Sequence, residues 1–111
     1  MTEKLAPEPD MEFALMQENA SRASDLMKLL SHPHRLMILC KLNEGESSVG
    51  ELAEKIGINQ SPLSQHLARM RHEGVVEARR EAQTVYYSLA GEEIRAVISL
   101  LYDLYCKPAA D

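Results

Sequence analysis

The stretch from Ser48 to His72, SVGELAEKIGINQSPLSQHLARMRH, reads as two short helices joined by a tight turn, the pattern of a helix-turn-helix. Leu52 and Ile56 are four apart on one face of the first helix, with Ala53 beside them, small enough for a second helix to approach closely. Gly57 follows the last apolar residue, where a left-handed backbone closes a helix without a Cβ penalty. Asn59 is the expected N-cap of the second helix, and Pro62 falls in its first turn, where a missing N–H costs nothing. Leu63, Leu67 and Met70 form the inner face. The outer face holds Gln60, Ser61, Ser64, Gln65 and Arg69, hydrogen-bonding groups and one cation at the end of a helix that would meet base edges. Solvent-facing helices usually carry Glu as well as Lys, yet 59–71 holds no acid, which favours nucleic-acid binding over a merely solvated face.

With 111 residues, one domain with a small core is expected. A formal net charge of −5 looks wrong for a DNA binder until its distribution is considered. Residues 1–20 hold one Lys and five acids, −4, whereas the rest holds eleven bases and twelve acids, −1. Arg69, Arg71, Arg79 and Arg80 supply a local positive patch near the reading helix. One Phe, no Trp and six Met argue against a large aromatic-lined ligand pocket. No apolar run approaches the roughly 20 residues needed to cross a bilayer, and MTEKLAPEPD lacks the order of a secretory signal, so a cytoplasmic protein is expected.

Residues 1–9 read as a disordered lead-in, 10–107 as the folded domain and 108–111 as a tail. From about Asp10 to Leu30 a long helix is expected, with Phe13, Met16, Ala20, Ala23, Met27 and Leu30 along one stripe. Leu15, Leu26 and Leu29 give a second apolar direction, as a dimer would use. Pro33 restarts the chain into a helix through Leu42 that is apolar nearly all round and should be buried. After Gly74, residues 75–80 and 84–89 read as two strands around a turn at Glu81 to Gln83. Val85, Tyr87 and Leu89 are expected to face inward. A hairpin directly after a reading helix is a wing, and Arg79, Arg80, Gln83 and Thr84 near its tip suit a phosphate backbone or a minor groove. The competing reading is an ordinary hairpin with a charged edge that deters aggregation. A final helix after Gly91 carries Ile94, Val97, Ile98, Leu101, Leu104 and Tyr105 on one side and ends at Lys107 and Pro108. The fold class is mainly α with a small β-hairpin, a winged helix-turn-helix.

LLSHPHRLMIL at 29–39, VGELA at 49–53, QSPLSQHL at 60–67 and EAQTVYY at 81–87 resemble the ArsR/SmtB family of small dimeric bacterial repressors, over nearly all of 27–106. Within it the chain is similar to the BigR, SqrR and HlyU group of sulfur-responsive regulators, which pair a Cys in the second helix with one at the end of the last. The resemblance implies a homodimer through the first and last helices. It also implies major-groove reading by Gln60, Ser61, Ser64, Gln65 and His66, and a persulfide sensor built on Cys40 and Cys106.

Metal sensing, the alternative within the family, finds only part of its ligand set: Asp103 is present on the last helix, where zinc sensors use Asp, His and Glu. Arsenic and cadmium sensors carry Cys-x-Cys where Ser47 to Leu52 holds no Cys, and zinc sensors use His along the last helix, where Ile94 to Cys106 holds none. His32 with His34, and His66 with His72, do not make four convergent ligands, and no metal or other cofactor is expected. A thiol oxidoreductase lacks its Cys-x-x-Cys motif, so an enzyme is not expected. By position alone, Cys40 fits a buried small hydrophobe, whereas Cys106, beside Lys107 at a frayed helix end, should be exposed. Thiols held slightly too far apart for a plain disulfide would favour a longer sulfur bridge and so select persulfides over peroxide. The remaining alternative is a metal-responsive or constitutive regulator of the same fold.

Overall fold

The computed structural model describes residues 7–108, with the side chains of 7–9 outside the description. The chain forms two units, 1–32 and 33–111. The first unit is a helix, α1, Pro7–Leu30. It begins three residues earlier than expected, because proline is accommodated in a first helical turn, whose N–H groups have no intrahelical acceptor. The rest of the anticipated lead-in, 1–6, and most of the tail, 109–111, lie outside the described residues. Leu29 and Leu30 are buried, but Met11, Phe13, Leu15, Met16 and Met27 are all more than half exposed.

The second unit runs α2 (Pro33–Asn43), β1 (Ser47–Ser48), α3 (Val49–Ile56), α4 (Gln60–His72), β2 (Val76–Glu81), β3 (Thr84–Leu89), α5 (Glu92–Leu101) and a π turn, Tyr102–Cys106. Its core is built from Ile38, Leu39 and Leu42 of α2, Leu52 of α3, Leu63, Leu67 and Met70 of α4, Val76 and Leu89 of the sheet, and Ile94 and Ile98 of α5. Met37 of α2 is 43% exposed, so this helix is not buried all round.

The helix-turn-helix is closed at each joint by local chemistry. Ser48 caps α3, its hydroxyl accepting from the Glu51 N–H at 3.2 Å while Glu51 Oε1 accepts from the Ser48 N–H at 2.9 Å. These bonds hold the Glu51 carboxyl below its ordinary pKa. Gly57 ends α3 at φ +82°, its N–H reaching the Ala53 carbonyl at 2.8 Å. Asn59 occupies the N-cap position of α4 with extended backbone but makes no side-chain cap bond. The α3 cap is thus the stronger joint. Ser48→Ala is expected to lower unfolding free energy by about 1 kcal/mol, measured by urea denaturation, with the midpoint shifting and the slope unchanged.

The wing pairs Val76 with Leu89 through Glu81 with Thr84, leaving Ala82 and Gln83 as the turn. Ala82 takes φ +57°, as the tight turns that match strand twist require. A third strand was not expected: Ser47 and Ser48 pair with Tyr87 and Tyr86, giving the order β1-β3-β2. β3 is therefore central. Its residues from Val85 to Ser88 are all half-buried, instead of alternating as in a two-stranded hairpin.

Candidate functional site: a reading face and a dithiol

On α4, Gln60, Ser61, Ser64, Gln65 and Arg69 are all exposed, opposite the buried Leu63, Leu67 and Met70. Arg69 also reaches back to Glu73, Nε to Oε2 at 3.8 Å. His66 differs from its neighbours. It is half-buried and meets His34 of α2 edge to face, ring centroids 6.0 Å apart at 75°. By sequence these two fall in separate pairs. The available signal is position, since His66 stands one residue before Leu67 and three after Leu63, turned partly toward the inner face.

At the wing, Arg80, Gln83 and Thr84 are exposed. Arg79 is bound in place: Nε and Nη2 donate to the two Glu46 carboxylate oxygens at 3.0 and 2.8 Å, and Nη1 donates to Glu81 at 2.8 Å. Its guanidinium also lies 4.8 Å from the Tyr86 ring centroid. The pair with Arg79 holds the Glu46 carboxyl low, and the two acids raise the guanidinium pKa. Arg79 braces the wing against the loop before β1. Glu46 is 33 residues away, and nothing in the local sequence announces the pair.

The second site joins α2 to the end of the chain. Cys40 is buried and Cys106 exposed, both as free thiols, and their Sγ atoms are 2.7 Å apart. Sixty-six residues separate them in sequence. The condition that would have selected longer sulfur bridges, thiols held too far apart, is not met. A direct S–S bond is within reach.

The π turn makes this contact. The Lys107 N–H donates to the Tyr102 carbonyl at 2.8 Å, five residues back, so the last turn is wider than an α turn. Leu104 and Tyr105, expected on the same side of the last helix as Ile94 and Ile98, are 64% and 80% exposed where those two are buried. The widening rotates them outward and brings Cys106 to α2. Around the thiols, the Tyr102 hydroxyl donates to Glu44 Oε2 at 3.2 Å, Lys41 lies 3.6 Å from Glu44, and the Ser99 hydroxyl bonds Asn43 Oδ1 at 3.1 Å.

Burial, followed by the hydrogen bond to Cys106 and the charges of Cys106 and Glu44, pushes the Cys40 thiol up to about 12. Folding thus favours its protonated form, a stabilisation present below the ordinary thiol pKa of about 8.5 and lost as pH rises through that value toward 12, because the unfolded chain ionises first. Urea midpoints of the reduced protein are expected to fall between about pH 8 and 10, and Cys40→Ala should flatten that decline. Equal slopes for both proteins would contradict the assignment.

A two-helix reading unit with an exposed polar face, followed by a braced β-wing, defines a winged helix-turn-helix DNA-binding regulator. The bacterial regulatory protein, arsR family, model matches residues 32–78. The transcriptional activator HlyU of Vibrio cholerae is 46% identical over 97 residues, 87% of this chain and 90% of that protein. The biofilm growth-associated repressor of Xylella fastidiosa is 43% identical over 98 residues, 88% and 86% of the two chains. Solved structures agree: reduced HlyU from Vibrio cholerae superposes with TM-score 0.79 at 48% identity, covering 83% of this chain and 97% of that one. BigR from Xylella fastidiosa gives 0.78 at 43%, covering 85% and 96%. The chain belongs to the ArsR family and is a transcriptional regulator, not an enzyme. Among the described residues, no helix is long and apolar enough to cross a membrane.

Proposed function

We propose that this regulator is a homodimeric repressor that releases operator DNA when persulfide-derived sulfur links Cys40 and Cys106. The 2.7 Å contact between a buried and an exposed thiol carries the reading. The sulfane sulfur of an organic hydropersulfide, RSSH, reacts first with the accessible Cys106, giving a Cys106 persulfide and RSH. The Cys40 sulfur then attacks Cys106 Sγ and displaces hydrogen sulfide. The net change converts two protein thiols and RSSH into a disulfide, RSH and hydrogen sulfide, oxidising the protein by two electrons. A second RSSH that lengthens the Cys106 persulfide before closure leaves one extra sulfur in the bridge and releases a second RSH.

Such a bond ties the π turn to α2. Exposed apolar side chains on α1 (Met11, Phe13, Leu15, Met16) and at the chain end (Leu100, Leu104, Tyr105) suit both terminal elements to dimer contacts. Fixing the chain end then changes the spacing of the two reading heads. A hundredfold loss of operator affinity needs only about 2.7 kcal/mol of coupling. Intact mass and operator affinity measured together after persulfide treatment test the switch. Linked thiols with unchanged DNA binding would overturn it.

Two α4 helices reading successive major grooves about 34 Å apart call for a partly palindromic site, with Gln60, Ser61, Ser64 and Gln65 at base edges. Arg80, Gln83 and Thr84 act at the wing, while Arg79 is the brace behind them. Gln65→Ala is expected to cost about 1–3 kcal/mol on the specific site and far less on random duplex, whereas Arg80→Ala should weaken both alike and lower the salt dependence. Equal losses on both duplexes for Gln65→Ala would refute base reading.

A further inference from the structure

With the thiols already in contact, their separation does not discriminate between oxidants, and selection falls on access. Leu36, Cys40, Leu101, Tyr105 and Cys106 line a cavity of about 300 Å³, half open to solvent, whose accessible lining is wholly apolar. That is the lower end of the range for small-molecule sites. It has room for a carrier group of a few carbons beside the sulfurs, and its own lining gives a charged or peptide-like carrier seated there no polar partner. Desolvating a carboxylate or ammonium there would go uncompensated, while each methylene taken out of water favours binding about fourfold.

We infer that this cavity is a binding site for the apolar carrier group of an uncharged sulfane-sulfur donor, so that the dithiol responds to small hydrophobic persulfides and dialkyl polysulfanes ahead of charged ones. The inference rests on the dithiol switch proposed above and adds its ligand class. With a dialkyl trisulfide, R–S–S–S–R, the Cys106 thiolate attacks the sulfur that leaves RS⁻, which takes up the proton, and Cys106–S–S–R forms with one alkyl group in the cavity. The Cys40 sulfur then attacks Cys106 Sγ, the Cys106–S bond breaks, and the departing RSS⁻ takes the Cys40 proton. Two thiols and one trisulfide become the disulfide, RSH and RSSH.

The experiment compares dipropyl trisulfide with glutathione trisulfide on the full-length reduced protein. Linkage is followed by intact mass, and each rate is divided by the rate of the same donor with the urea-unfolded chain. The corrected ratio is expected to favour dipropyl trisulfide at least tenfold. Leu101→Gln and Leu36→Gln, on two walls of the cavity and outside the exposed patch assigned to the dimer contact, should each remove most of that preference by placing an uncharged amide against the carrier group. Circular dichroism of both variants guards against misfolding. A corrected ratio near one in the wild type, or a preference untouched by both folded variants, overturns the cavity inference and leaves the switch standing. Absence of linkage with either donor, under conditions where the unfolded chain reacts, overturns the switch itself.

Discussion

Cys106→Ser is expected to bind operator DNA within about threefold of wild type in reductant, and to show none of the roughly hundredfold loss expected of the wild type with a sulfane donor. The first half follows from exposure: Cys106 contributes nothing to the core, and a hydroxyl replaces its thiol with little change in volume. The second half follows from chemistry, because no second thiol remains to close the bridge. A hundredfold loss in the wild type would correspond to about 2.7 kcal/mol of coupling between the dithiol and the DNA site. Fluorescence anisotropy of a labelled operator duplex, with and without a persulfide donor, reads both halves. Release of the variant by the donor would show that persulfidation of Cys40 alone suffices and would remove the link from the mechanism.

Leu67→Ala is expected to cost about 2–5 kcal/mol of stability, the usual range for deleting a buried leucine side chain. Leu67 is fully buried on the inner face of α4, between Leu63 and Met70 in a continuous core stripe. For a domain of this size that is a large share of a total stability of about 5–15 kcal/mol. Thermal unfolding should move down by roughly 10 °C or more. Operator affinity measured at low temperature, where the variant remains folded, should fall much less, since the side chain touches no part of the reading face. A stability loss below about 1 kcal/mol would mean that α4 is held by something other than this stripe.

The helix-turn-helix was legible because its information is local. Leu52, Ile56, Leu63, Leu67 and Met70 repeat at helical spacing, Gly57 supplies the left-handed stop, and Pro62 can stand only near a helix start. The structure reproduces each of these features within a residue or two. The wing was legible for the same reason, its two strands flanking a short turn. The binding of Arg79 by Glu46, the contact of His34 with His66 and the pairing of Ser47 with Tyr87 were not legible. Each joins residues more than 30 positions apart, and no periodicity marks such a meeting.

The two cysteines divide the question most sharply. Position along the chain was enough to place Cys40 inside a packed helix and Cys106 at an exposed helix end, and the family resemblance paired them. Their separation depended on the last five helical residues. Counted at α spacing, those residues put Tyr105 inside, whereas a π turn carries Tyr105 out and Cys106 onto α2. Helical period is a property of the residues nearest one another, so the sequence alone could determine which elements form and which faces they bury. A one-residue change of phase at a helix end depends on how that end packs against a distant helix. Only the tertiary structure could decide that the two sulfur atoms touch.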